Sequence, residues 1–257
     1  METKNDIYNL MKKVNFIFLS NKKNKTIVGL YINFTQKYLL IQDLVKEFDP
    51  SDSEEKKLYL ANAVMLLIKQ CEILYEAIKI CISNKFDEII SKTVEKMETT
   101  KEYKAIIKDF LLQLLNNNKF EDLAYLLVLL KNVEIRKQTS PIIKEYVPKV
   151  ITLAAADTVF YSQRGLIKGE EKLIFNPEHI LINVWSSMTL EAQKEALEHE
   201  LTHIIVYPST TVAGIDNHQQ MEDAVENYLT SLNQIPEQKK MGQITMFLNR
   251  LFQWNRL

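Results

Sequence analysis

Glycine and proline are scarce, with five and six residues among 257. A β-sandwich or barrel needs such residues at most of its turns, so the shortage argues against those architectures and for a chain that is mostly helix. Arginine is scarcer: Arg136, Arg164, Arg250 and Arg256 are all there is, and lysine supplies the rest of the 32 basic residues. Lysine makes a poorer fork for phosphate or base recognition. Against 33 acids the net charge is -1, so no overall field draws the chain to nucleic acid or an anionic bilayer, and the short run Lys22, Lys23, Lys25 does not change that. Cys71 and Cys81 are the only cysteines. On one helix, ten residues would set them about 15 Å apart, beyond disulfide reach, and they read as reduced, buried thiols. The first twenty residues contain no apolar signal-peptide core, and no window reaches about 18 uninterrupted apolar residues. The expectation is a soluble, cytoplasmic protein without a membrane span.

What is abundant is apolar sequence, at 46%. Phe16-Ile17-Phe18-Leu19 and Ile27-Val28-Gly29-Leu30-Tyr31-Ile32 flank the polar stretch Asn21–Lys25 and predict an N-terminal β-hairpin. Past Thr35 the period becomes helical. Asp49-Pro50-Ser51-Asp52 interrupts the chain, and Ser51 or Asp52 ahead of Glu54 and Glu55 marks a helix start. Between Leu58 and Ile82 the apolar positions are nearly continuous, as in the central helix of a bundle. Further helices are expected at 87–97, 102–115 and 120–133, broken at Asn116-Asn117-Asn118. Stripes such as Ile106, Phe110, Leu114 and Leu123, Leu126, Leu127, Leu130 are candidate core. The expected division is a mostly helical domain at 1–150 and a second domain at 151–257.

After Pro148 the composition shifts. Lys172–Phe175 reads as a strand. Asn176-Pro177-Glu178 fits a helix cap, whereas Ile180, Ile182 and Val184 argue for a second strand, and the segment stays open between the two. Thr189 opens a helix through about Ile205, with Pro208 just past its end. Asn217 with Gln220 resembles a capping box and predicts another helix from about His218 to Leu232. A last amphipathic helix, Met241 to Leu251 with Trp254 beyond, is expected to dock on the core.

All four histidines lie between 179 and 218. Within the helix opened by Thr189 the chain reads Glu198-His199-Glu200-Leu201-Thr202-His203, which contains H-E-x-x-H. Composition alone produces that pattern on the order of 0.005 times per chain of this make-up, so accident is the weaker explanation. Residues four apart on a helix lie about 40° apart in projection and one turn apart in height, so both imidazoles can meet one tetrahedral cation. Glu200 flanks the pair, close enough to act on a metal-activated water without being a ligand. A catalytic zinc usually has three protein ligands, and Glu222, 18 residues after His203, is the candidate third. Glu226, Asp223 and His218 are its alternatives. Glu226 shares the Glu222 face and could accept a hydrogen bond from the second nitrogen of a liganding histidine. His179, His218, Tyr207, Tyr161 and Arg164 are weaker candidates for oxyanion or carboxylate contacts. Tyr228 points to the core.

H-E-x-x-H followed by 18 residues and Glu resembles the gluzincin branch of zinc metallopeptidases, over about residues 171–233. Together with the helical N-terminal part read from the pattern above, the expected fold is mainly α (α+β), the resemblance implying a zincin-like C-terminal domain with a small sheet and an active-site helix. The resemblance further implies Zn2+ held by His199, His203 and Glu222, Glu200 as the catalytic general base, Glu226 supporting a ligand from behind, and a protein or peptide substrate. The exopeptidase motif G-x-M-E-N is missing, which points to an endopeptidase. Val206 and Ser209 stand where the metzincin extension needs Gly and His. The remaining reading is a non-catalytic, zinc-binding zincin-like adaptor or regulator.

Overall fold

The structure, a computed structural model, describes residues 2–140, 142–146, 150–210 and 218–233. Six helices come first: α1 (Glu2–Ser20), α2 (Lys25–Glu47), α3 (Glu54–Ser83), α4 (Phe86–Lys96), α5 (Lys101–Asn116) and α6 (Phe120–Leu129). A 3-10 turn at Leu130–Asn132 leads into β1 (Val133–Gln138), β2 (Ile142–Tyr146), β3 (Val150–Ala154), β4 (Ala156–Ile167) and β5 (Glu170–Trp185). Helices α7 (Leu190–Thr210) and α8 (His218–Asn233) follow. The protein is mainly α with a small sheet, the α+β class expected. The amphipathic segment at 241–254 and the capping residue Asn217 lie outside the described residues.

The N-terminal hairpin is helical, which corrects the strand reading. Ile27, Leu30, Phe34, Tyr38, Ile41 and Leu44 are buried at steps of three and four, so the period that decides the element is that of a helix. Asn24 accepts a hydrogen bond from the Ile27 amide at 3.2 Å and caps α2, so the polar stretch turns between two helices. The rings of Phe18 and Tyr31 stack across that turn, 3.9 Å apart.

Ser53, two residues on from Ser51, caps α3 through the Lys56 amide at 3.2 Å. Asn84 ends that helix in the left-handed region, at φ 51°. Among the described residues α3 is the one helix long and apolar enough to cross a membrane by length and composition. In this fold it packs against α2, α6, β4 and β5, burying Leu60, Leu66, Leu67, Leu74 and Ile78. Cys71 and Cys81 are buried on it as free thiols, both pushed up to about 12, chiefly by burial.

The helical stretch expected to reach residue 150 ends at Leu130–Asn132, because β1 takes over there. Val133 and Ile135 are the only apolar residues of β1, too few to announce a strand, and its partner is far along the chain. The sheet order is β1-β5-β4, with β1 parallel and β4 antiparallel to β5, while β2 and β3 pair as a separate hairpin. Lys168 and Gly169, at φ 51° and 76°, form the two-residue turn from β4 to β5. The open segment 176–184 is strand. Between the pairs Ser162↔Phe175 and Phe160↔Ile180, four residues of β5 face one of β4, so Pro177 sits in a bulge where no ladder bond is required. Gly165 marks the crossing of β4 over α3. A Cβ there would lie 2.5 Å from Ile174 Cδ1 and 3.3 Å from the Ala63 Cα. One contiguous core runs from Ile7 to Leu232, including Phe110, Leu127, Phe175, Ile182 and Leu201.

Candidate metal centre

Helix α7 begins where expected, with Thr189 Oγ1 accepting from the Ala192 amide at 3.3 Å, and continues through Pro208 to Thr210. Its start is locked by buried Gln193. That amide donates to the Met188 and Ser186 carbonyls at 2.7 and 3.3 Å, and its oxygen accepts from the Tyr103 hydroxyl on α5 at 2.8 Å. Leu197, Leu201 and Ile204 recur at helical spacing and are fully buried, which fixes the rotation of the helix and turns His199 and His203 toward α8. Near the middle of α7, the Thr158 hydroxyl of β4 lies 3.4 Å from the Glu200 carbonyl oxygen.

Helix α8 is fastened at its C-terminal half. The Tyr228 hydroxyl donates to Asp122 on α6 at 2.6 Å, Gln113 on α5 donates to Asn233 at 2.8 Å, and Val225 and Leu232 are buried. With that end fixed, the second turn of α8 faces the histidine pair.

The structure brings His199, His203 and Glu222 together. The two Nε2 atoms are 3.1 Å apart, Glu222 Oε2 is 3.0 Å from His199 Nε2, and Glu222 Oε1 is 3.5 Å from His203 Nε2. Ligand bonds of 2.0–2.2 Å in a tetrahedron put neighbouring donors about 3.3–3.6 Å apart, so these contacts, made through both Glu222 oxygens, lie within about 0.3 Å of the spacing such an ion needs. The donor set, two imidazoles and one carboxylate, is also one that zinc accepts. Glu200 is buried, and the ligand atoms of His199, Glu200 and His203 all lie within 4.8 Å of one another. Both acids therefore stand beside the histidine pair, Glu200 from the same helix and Glu222 from α8. Glu226 Oε1 lies 3.7 Å from His199 Nδ1, behind the ring, at ion-pair distance.

Exposure is graded across the three donors. The His203 side chain is 4% exposed, while His199 and Glu222 are 23% and 24% exposed, so the cluster opens to solvent on the His199–Glu222 side. The hydrogen bond to Glu222 raises the His199 pKa above its ordinary value against the opposing pull of burial, with Glu200, Glu222 and Glu226 adding negative field. Hydrogen bonds from His199 and then His203 hold Glu222 far below the usual carboxylate range. Both directions describe a carboxylate kept ionised against two imidazoles.

The weaker candidates separate from the cluster. His179 is exposed on β5 with its ring 6.0 Å from that of Tyr161, and Arg164 pairs with Glu171 at 3.0 Å on the outer side of the sheet. The side chains of Tyr207 and His218 lie outside the described residues. Gln193 with Tyr103, and Tyr228 with Asp122, position the two site helices, and sequence reasoning missed both pairs. Each joins residues 90 or more positions apart with no local pattern to announce it. No family model, no curated protein and no solved structure matches this chain.

Proposed function

We propose that this protein is a zinc-dependent endopeptidase, with His199, His203 and Glu222 holding the metal and Glu200 as general base. The observation that carries the reading is the convergence of side chains from two helices, the two imidazole Nε2 atoms 3.1 Å apart and the two Glu222 oxygens 3.0 and 3.5 Å from them. The gluzincin resemblance of the sequence leads to the same four residues. Zinc bound there would supply a Lewis acid that polarises a carbonyl and makes water a nucleophile near neutral pH.

The chain's own groups do the rest. Glu200, buried beside the histidines, takes a proton from the attacking water and delivers it to the leaving amine as the C–N bond breaks. His203, sealed in the core, and His199, backed by Glu226, keep their ring orientations without a search over rotamers. Among the described residues β4 pairs only with β5 and stands at the edge of the sheet, packed against α3 and α7.

The test compares wild type with Glu200→Gln, reading zinc content and cleavage of a denatured protein substrate. The reading expects zinc in both and cleavage by wild type alone. Cleavage retained by Glu200→Gln overturns the mechanism. Zinc without cleavage by either protein supports the non-catalytic, zinc-binding adaptor instead.

A further inference from the structure

On the side of α7 away from the histidines, a cavity of about 150 Å³ lies between α2, α3, α6 and α7. Leu30, Leu40, Leu74 and Ile205 form its apolar wall. Ile205 is two residues past His203, a step of about 200° around the helix, so the cavity and the metal centre use opposite faces. Its charged groups are Lys37 on α2 and Glu121 and Asp122 on α6.

These opposite charges share the cavity without pairing. Lys37 Nζ donates to the Gln70 amide oxygen at 2.8 Å, and among the described residues it has no carboxylate within 4.0 Å. Gln70 is itself fixed, donating to the Phe175 carbonyl at 3.0 Å. Glu121 is drawn against α2, where Asn33 donates to it at 3.2 Å. Gly29 makes room for that carboxylate, since a Cβ at this position would stand 2.3 Å from Glu121 Oε2. Asp122 is held by the Tyr228 hydroxyl. Each charge is thus anchored by a neutral partner of its own, and an unneutralised charge is costly where it is taken out of water. Burial lowers the Lys37 pKa and raises those of Glu121 and Asp122, the last against the opposing field of Lys119.

We infer that this cavity binds a small zwitterion, a free amino acid with a branched aliphatic side chain. Its carboxylate faces Lys37, its ammonium faces Glu121 and Asp122, and its side chain lies on the leucine and isoleucine wall. A void of this size holds on the order of six to ten non-hydrogen atoms, which L-leucine fits. The site shares no side chain with the metal centre and does not depend on the peptidase reading.

The test is calorimetric titration of the full chain with L-leucine, leucinamide and N-acetylleucine, the last two each lacking one of the charges. The expected result is saturable binding of one leucine per chain, with each capped analogue weaker by about tenfold or more, the loss of one charged hydrogen bond. Lys37→Met and Glu121→Gln each lower leucine affinity by about the same factor while the circular dichroism spectrum stays that of wild type. If Lys37→Met does not fold, Glu121→Gln and the two analogues carry the test unaided. No saturable leucine binding, equal binding of leucine and leucinamide, or unchanged affinity in a folded Glu121→Gln protein overturns the proposal.

Discussion

Glu222 on α8 reaches His199 on α7 at 3.0 Å, across 23 positions of sequence and between two helices that are each anchored elsewhere in the fold. Because α7 is fastened through Gln193 and α8 through Tyr228, the contact is built by the scaffold and does not rest on the three polar side chains attracting one another. A cation bound there would meet donors already in place, the condition under which binding energy is not spent on ordering the site.

The ligands and their support should separate by size of effect. His203→Ala and Glu222→Ala each remove stoichiometric zinc, whereas Glu226→Gln leaves zinc bound with affinity lowered about 10–100-fold, the range for a group that orients a ligand. Chelator competition on the purified variants reads this directly. Wild-type zinc affinity in Glu222→Ala removes Glu222 from the ligand set.

Without metal, the His199–Glu222 contact carries a definite pH dependence. His199 is raised above 6.5, so its contribution to stability is complete below that value and is lost as pH rises through the folded pKa. Glu222 is depressed below 4.5, so its contribution is present above 4.5 and is lost as pH falls through the folded pKa. Glu222→Gln should therefore destabilise the metal-free protein most between pH 4.5 and 6.5, measured by urea unfolding in the presence of a chelator. A destabilisation that does not vary with pH contradicts the assignment.

Removing the Tyr228 hydroxyl leaves the Asp122 carboxylate short of its donor. Tyr228→Phe should cost about 1–3 kcal/mol, the penalty for a buried acceptor left unsatisfied. Burial already raises the Asp122 pKa, and the Tyr228 hydrogen bond opposes that shift. Losing it raises the pKa further, and a raised acid loses stability as pH rises, so the cost is larger at pH 7 than at pH 4. Denaturant melts of the variant at the two pH values test the sign, and an equal cost at both contradicts it.

Two glycines make a contrast in packing. A methyl group at Gly165 meets Ile174, buried in the sheet, and the backbone of Ala63 at 3.3 Å, whereas one at Gly29 meets the end of the Glu121 side chain. Gly165→Ala should destabilise by about 1–3 kcal/mol as an overpacked core position, and Gly29→Ala by less because a side-chain end can move aside. Thermal unfolding of the two variants gives the order, and the reverse order contradicts the close approach of β4 to α3.

Helices α3 to α8 were legible because each carries local evidence of its own, such as the apolar face of Tyr103, Ile106, Phe110 and Leu114 or the threonine ahead of α7. Helix α1 and the first part of α2 were hidden by Phe16–Leu19 and Ile27–Ile32, where consecutive apolar residues mask the period, although Phe16 and Leu19 prove to be exposed. Strand β1 was hidden because its identity comes from pairing with β5, some 47 residues away. The same distinction runs through the site. His199, Glu200 and His203 sit within one helical turn and follow from spacing alone. Glu222 needed a second helix at the right distance, and the pairs that hold those helices exist only in the folded chain.

The most direct measurement is X-ray absorption at the zinc edge on purified wild-type protein, with metal content determined on the same sample. The account predicts one zinc per chain in a shell of nitrogen and oxygen only, with two imidazole nitrogens at about 2.0–2.1 Å and carboxylate oxygen at about 2.0–2.2 Å. A chain that retains no stoichiometric zinc after growth and dialysis in zinc-containing buffer, or a shell containing sulfur, contradicts it.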